Sequence, residues 1–177
     1  MAFHDQYVEV MLTAEQLQAR VKELGAQITK DYQGKDLALV GIMKGSIFFL
    51  TDLARHIDLP ITIELMGVSS YLGGTETTGE VRITSDLTKP MAGRHVIVVE
   101  DIIDTGLTMK FLLENLGARH PASLKVATLL EKPSRAKVTV DIHYKGFVIE
   151  DRFVVGYGLD YNEKYRNLPF VGMMRTD

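Results

Sequence analysis

The sequence predicts an α/β protein built on a central, mostly parallel, doubly wound sheet flanked by helices. Three observations carry that prediction. Short runs of aliphatic and β-branched residues alternate with segments of helical period through the first three quarters of the chain. Those runs lack strict polar alternation, as expected of strands covered on both faces. One of them, Val96-Ile97-Val98-Val99, ends at the acids Glu100, Asp101 and Asp104 and passes through Thr105-Gly106-Leu107-Thr108 into a helical pattern. Open α/β sheets bind ligands at such carboxyl ends of strands.

Taken in order, Thr13-Ala14-Glu15-Gln16 fits a capping box, with Thr13 as N-cap. Leu17, Val21, Leu24 and Ile28 then recur at helical spacing, and Gly34 lies in the following turn. Residues 36–42 read as a buried strand that runs through Met43-Lys44-Gly45-Ser46 into a helix carrying Ile47, Phe48, Leu50, Leu53 and Ile57. Strand, short loop and helix can hold an anion. This is not a P-loop, because Gly-x-x-x-x-Gly-Lys-[Ser/Thr] is absent. Local sequence alone favours a solvated Lys44.

Pro60 precedes a second strand at 61–68, and the small, polar run 69–79 then reads as either a lid or a hairpin tip that returns at Val81. Residues 94–99 form the third strand. The helix after it carries Leu107, Phe111, Leu112 and Leu116 and stops at Gly117, read as its cap. A fourth strand at 123–130 ends in Glu131-Lys132-Pro133. Residues 138–144 and 146–149 are β-like, Phe153-Val154-Val155 is a short strand, and Gly156 and Gly158 permit tight turns.

A length of 177 residues suits one domain with an ordinary core. At 46% apolar and 24% charged, the chain is not composed like a disordered one. A net charge of −3 and a pI near 6.0 argue against a general nucleic-acid surface. Any anionic ligand must therefore be held by local donors. The absence of cysteine excludes disulfides, thiolate zinc sites and cysteine nucleophiles. No basic-then-apolar leader opens the chain and no apolar run nears membrane-spanning length, so a cytoplasmic protein with no membrane partner is expected.

The loop after the third strand can hold a phosphate through its N–H groups and the Thr105 and Thr108 hydroxyls, helped by the helix dipole. The three acids would repel that phosphate. A ribose diol, a magnesium ion or a proton in flight are their sensible partners. Asp104 is equally placed to be a plain helix N-cap.

With these segments in view, the chain resembles a 6-oxopurine phosphoribosyltransferase of the hypoxanthine–guanine type. The run from Val98 to Thr108 is similar to the phosphoribosyl-pyrophosphate (PRPP) signature of type I phosphoribosyltransferases. Met43-Lys44-Gly45-Ser46 matches a Leu-Lys-Gly-Ser pyrophosphate loop with Met in place of Leu. Ser69-Ser70-Tyr71 resembles the opening of a flexible catalytic loop. Lys132, the run from Phe153 to Tyr161, and Arg166 resemble a purine site.

The resemblance implies a type I phosphoribosyltransferase fold over 1–177, with a core at about 36–140 and a small hood from about 1–12 and 141–177. It implies magnesium-dependent transfer of a phosphoribosyl group from PRPP to N9 of hypoxanthine or guanine, giving IMP or GMP and pyrophosphate. Glu100 and Asp101 would face the ribose and its developing positive charge, and with Asp160 would stand near the metal. Asp104 would accept a proton near purine N7. Asp104, Thr105, Gly106, Leu107 and Thr108 would cradle the 5′-phosphate. Lys44, Gly45 and Arg166 would hold pyrophosphate. Ser70 and Tyr71 would belong to the closing loop. Lys132 would donate to O6 and so reject adenine, Phe153 would stack on the base, and Val154 and Asp160 would read its far edge through main-chain groups. The resemblance also implies a cis Met43–Lys44 peptide and a homodimer or homotetramer.

The rival from another class is an RNA-binding regulator that kept this fold, against which the negative net charge argues. A xanthine-preferring enzyme and a non-catalytic nucleotide-binding domain are the others.

Overall fold

A computed structural model describes residues 7–71 and 80–175. Its larger sheet runs β4-β3-β2-β5-β6-β7, where β2 is Leu37–Met43, β3 Thr62–Tyr71, β4 Glu80–Ser85, β5 His95–Ile103, β6 Ser123–Glu131 and β7 Tyr144–Val148. All neighbours in it are parallel except β3 and β4. A second, antiparallel sheet joins β1 (Val8–Leu12), β9 (Val171–Met174) and β8 (Val154–Val155) in that order. It ties the beginning of the described chain to its end.

Side-chain alternation along the central strands explains the two-sided core. Leu37, Leu39, Ile97, Val99 and Leu129 bury on one face, beneath α1 (Ala14–Asp31) and α2 (Ile47–Arg55). Ala38, Val40, Val96, Val98 and Val126 bury on the other, beneath α3 (Leu107–Gly117). Arg94 and Asp36 lock the starts of β5 and β2 together through two hydrogen bonds of 2.8 Å.

The expected capping box is present at Thr13 and Gln16, and Leu17, Val21, Leu24 and Ile28 are all buried. Other expectations need correction. In α2, Ile47 and Phe48 are exposed and Phe49 is buried instead. In α3, Leu107 is exposed and Met109 joins Leu112 and Leu116 in the core. A short helix tolerates either register in sequence, and the sheet beneath it chooses. Gly117 is the last helical residue rather than a left-handed cap, and His120 takes the positive φ of 57°.

The strand at 94–99 continues to Ile103, so Glu100 and Asp101 lie within it, Glu100 opposite Thr128. Residues 138–143 do not form a strand. The N–H groups of Lys137 and Val138 donate to the Thr105 carbonyl, which holds this segment against the end of β5 instead. Only Tyr144–Val148 pairs, with β6. β3 runs past Val68 to Tyr71, with Ser70 opposite Val81 and Tyr71 opposite Glu80. The side chains of Ser70 and Tyr71, and residues 72–79, where the lid reading falls, lie outside the described residues.

Candidate active site

The carboxyl end of β5 organises the site. Its first acids are crowded: Asp101 N–H donates to Glu100 Oε1 at 3.2 Å, and Ile102 N–H donates to Asp101 Oδ1 at 2.8 Å. Burial pushes the Glu100 carboxyl well above its ordinary range, and the neighbouring Asp101 charge adds to the effect. Burial likewise raises Asp101. No cation stands within ion-pair distance of either among the described residues.

Two other segments close on Asp101. A Cβ placed on Gly45 would lie 1.8 Å from Asp101 Oδ2, and one on Gly158 would lie 2.0 Å from the Gly45 carbonyl. Gly158 also has φ +104°, so it is the natural residue there on both counts. The loop after β2 therefore meets the Asp101 carboxyl at the end of β5 and the backbone of the tail. The Met43–Lys44 peptide bond before that contact is cis.

Beyond the acids, Gly106 takes φ 82° as N-cap of α3, and Thr105 Oγ1 accepts from Leu107 N–H at 3.4 Å. Asp104 is thus not the cap that its position allowed. Glu100, Asp104, Thr105, Gly106 and Thr108 help to line a small cavity of about 90 Å³ at the helix N-terminus. Asp104 points instead toward a second, wider cleft, where Arg135 Nε donates to its Oδ1 at 2.7 Å.

That cleft, of about 490 Å³, is lined by Asp101, Asp104, Lys132, Arg135, Asp151, Phe153, Val154 and Asp160, among others. Lys132 is only 7% exposed, with its ammonium 3.7 Å from Asp151 Oδ1. That distance is beyond a hydrogen bond, so the ammonium keeps its donors for a ligand. Phe153 is 56% exposed at the rim, edge-on to Tyr161 with centroids 5.7 Å apart. An exposed aromatic face beside a buried cation suits a flat, polar-edged ring.

The tail folds as two tight turns, with Gly156 and Leu159 pairing through their backbones and Tyr161 and Lys164 doing the same. Arg166 binds this fold internally, donating from Nη1 to the Gly158 carbonyl at 2.7 Å and from Nη2 toward Asp160 Oδ1 at 3.0 Å and Glu163 Oε1 at 3.1 Å. Lys44 Nζ reaches the other Glu163 oxygen at 2.7 Å. Hydrogen bonds from Lys44 and Arg166 hold the Glu163 carboxyl below its ordinary range.

Of the sequence-expected residues, Glu100, Asp101, Asp104, Lys132, Phe153, Val154 and Asp160 thus line one or both of these cavities, whereas Lys44 and Arg166 meet at Glu163 and Gly45 packs on Asp101. Asp160 accepts from Glu163 N–H at 2.8 Å and does not join Glu100 and Asp101 in a three-acid cluster among the described residues. Arg135, Asp151 and Glu163 were not anticipated. Each lies within three residues of an anticipated one, which is a weak signal; their partners are remote in sequence.

A family model described as a phosphoribosyl transferase domain matches residues 10–162. Over 174 residues the chain is 51% identical to a hypoxanthine-guanine phosphoribosyltransferase of Staphylococcus aureus, covering 98% of this chain and 97% of that one. It is 52% identical over 171 residues to another from Mycobacterium avium, covering 93% and 84%. A crystal structure of a hypoxanthine phosphoribosyltransferase from Staphylococcus aureus is similar with a TM-score of 0.93 and 52% identity, covering 97% of this chain and 94% of that one.

Proposed function

The chain belongs to the phosphoribosyl transferase family, among its hypoxanthine-guanine members, and from that premise we propose how its residues divide the work. It is a purine-salvage enzyme that transfers the phosphoribosyl group of PRPP to hypoxanthine or guanine, releasing pyrophosphate and giving IMP or GMP. The observation that carries the reading is the pairing of two cavities across Asp104. One is small, at a helix N-terminus; the other is wider, with the Phe153 ring and the buried Lys132 ammonium in its lining.

Thr105, Gly106, Leu107 and Thr108 hold the 5′-phosphate through N–H groups and hydroxyls. Glu100 and Asp101 face the ribose, where their negative charge favours the oxocarbenium-like carbon that forms as pyrophosphate leaves. Asp104 accepts the proton that the base loses near N7. Lys132 donates to O6, which an exocyclic amine could not accept, and Phe153 stacks on the ring while main-chain groups of Val154 and Asp160 read its far edge. Lys44, Gly45 and Arg166 receive pyrophosphate; their convergence on Glu163 supports a shared anion position.

Magnesium fits this donor set. Glu100 and Asp101 are adjacent, partly buried and without an ion-pair partner among the described residues, and a hard cation that keeps substrate oxygens and water needs no all-protein cage. Glu100 and Asp101 would hold it, with Asp160 nearby, and it would neutralise charge on the departing pyrophosphate. We read the chain as a single domain whose smaller sheet serves as a hood over the cleft. Exposed Phe48, Ile63 and Leu65 support a homodimer or homotetramer. No helix is long and apolar enough to cross a membrane, and a cytoplasmic location without nucleic-acid partners is in keeping with the charge.

The test is pyrophosphate release from PRPP and magnesium with hypoxanthine, guanine, xanthine and adenine in parallel. Release with hypoxanthine or guanine is expected. Activity with adenine alone, or no activity with any of the bases, would overturn the assignment.

A further inference from the structure

Four charges of alternating sign line one wall of the base cleft: Asp104, Arg135, Asp151 and Lys132. Arg135 stands at the end of the single 3-10 turn Pro133–Arg135 that follows Lys132, while Asp151 lies just before β8. Arg135 donates from Nε to Asp104 Oδ1 at 2.7 Å, and its Nη1 stands 3.6 Å from Asp151 Oδ2. The other Asp151 oxygen faces Lys132 Nζ at 3.7 Å. One carboxylate is therefore shared by two cations, and neither holds it at hydrogen-bond distance.

This arrangement poses a problem for the reading of Asp104 and Lys132 given above, on which the inference rests. Arg135 occupies Asp104 Oδ1. A purine that gives up its proton there must displace it. Lys132 must meanwhile reach O6, leaving Asp151 without its ammonium in a partly desolvated cleft. A single movement answers both demands.

We propose that Arg135 has two seats and that base binding moves it from Asp104 to Asp151, freeing Asp104 for the base proton and Lys132 for O6. Asp151 remains paired throughout, because the guanidinium arrives as the ammonium leaves. Asp104 and Lys132 each give up an ion pair of the chain and gain a hydrogen bond to the base, while Arg135 and Asp151 keep each other. The Arg135, Asp104 and Asp151 side chains are between 37% and 50% exposed, where ion pairs contribute little and exchange readily. Arg135 needs only to shorten an existing 3.6 Å approach. Arg135 and Asp151 are accordingly positioning residues for the proton acceptor and the O6 donor.

The exchange is tested by a double-mutant cycle on the full chain, with melting curves for each variant. Removing the second seat (Asp151→Asn) strands Arg135 on Asp104, and should raise KM for hypoxanthine about tenfold, well beyond any change in KM for PRPP. Removing the occupant as well (Arg135→Gln in the Asp151→Asn background) uncovers Asp104 and should recover at least half of that loss in logarithmic terms. Asp151→Ser takes the place of Asp151→Asn if the latter melts early. A double variant no better than Asp151→Asn, or a KM for PRPP that rises equally, would overturn the proposal. The underlying assignment fails separately, if the unmodified enzyme forms no IMP from hypoxanthine and PRPP.

Discussion

The acids of this site fall into two sets that chemistry would treat alike and the structure does not. Glu100 and Asp101, inside β5, lie partly buried against each other with raised pKa values and no Arg or Lys within ion-pair distance among the described residues. Asp104, Asp151, Asp160 and Glu163, in the loops around them, each stand within 4 Å of at least one Arg or Lys of the chain itself. The unpaired set is unfavourable in the free protein, and a bound cation would relieve it. The paired set is favourable in the free protein and has to be opened by ligands. One region stores a demand for positive charge, whereas the other covers its functional groups until substrate arrives.

The largest effect should come from the paired set. Asp104→Asn keeps the shape of the side chain and removes its ability to take a proton. We expect kcat to fall by about 10²–10⁴-fold, with a much smaller change in KM for PRPP. A kcat within threefold of the unmodified enzyme would sink the proton-acceptor role.

The unpaired set predicts a trade of stability against activity. Burial disfavours the charged form of Glu100, so its folded pKa lies above the unfolded value. Protonated Glu100 stabilises the fold at low pH, and that stability is lost as the pH rises through the raised pKa. Glu100→Gln should therefore melt about 2–4 °C higher than the unmodified protein near pH 8 while losing activity. The gap should narrow as the pH falls, because Glu100 then takes up a proton without mutation. Magnesium with PRPP should close it as well, by stabilising only the charged form. A variant that melts lower at every pH would remove the contrast between the two sets.

The smallest effect concerns Glu163, which sits between Lys44 and Arg166 where we place pyrophosphate. If its carboxylate is a competitor for that position, Glu163→Gln should lower KM for PRPP by about two- to threefold, since exposed ion pairs are weak. A raised KM would mean that Glu163 instead holds the two cations in place.

Much of the fold was readable from periodicity, because burial on both faces of a parallel sheet leaves strands that are apolar throughout. The capping box at Thr13 and the buried stripe of α1 needed nothing else. The short helices were read less well, since in α2 and α3 several registers bury comparable surface and the neighbouring sheet decides among them. The segment at 138–143 has strand-like residues, yet Val138 N–H donates to the Thr105 carbonyl and only His143 N–H, to the Val126 carbonyl, reaches the sheet. A β-branched run reports an extended chain, not a paired one.

The acids show the same division. The sequence by itself determined that Glu100, Asp101 and Asp104 stand at the end of a buried strand ahead of a loop that opens a helix, because those relations are local. Only the tertiary structure decided which acids are neutralised. Arg135 is 31 positions from Asp104, and Glu163 is 119 from Lys44. Coulomb attraction falls with distance in space and takes no account of separation along the chain. The partners of a charge are thus fixed by packing, here by the meeting of Gly45, Asp101 and Gly158. That contact brings the tail, with its own acids and cations, onto the strand end that the sequence had already marked.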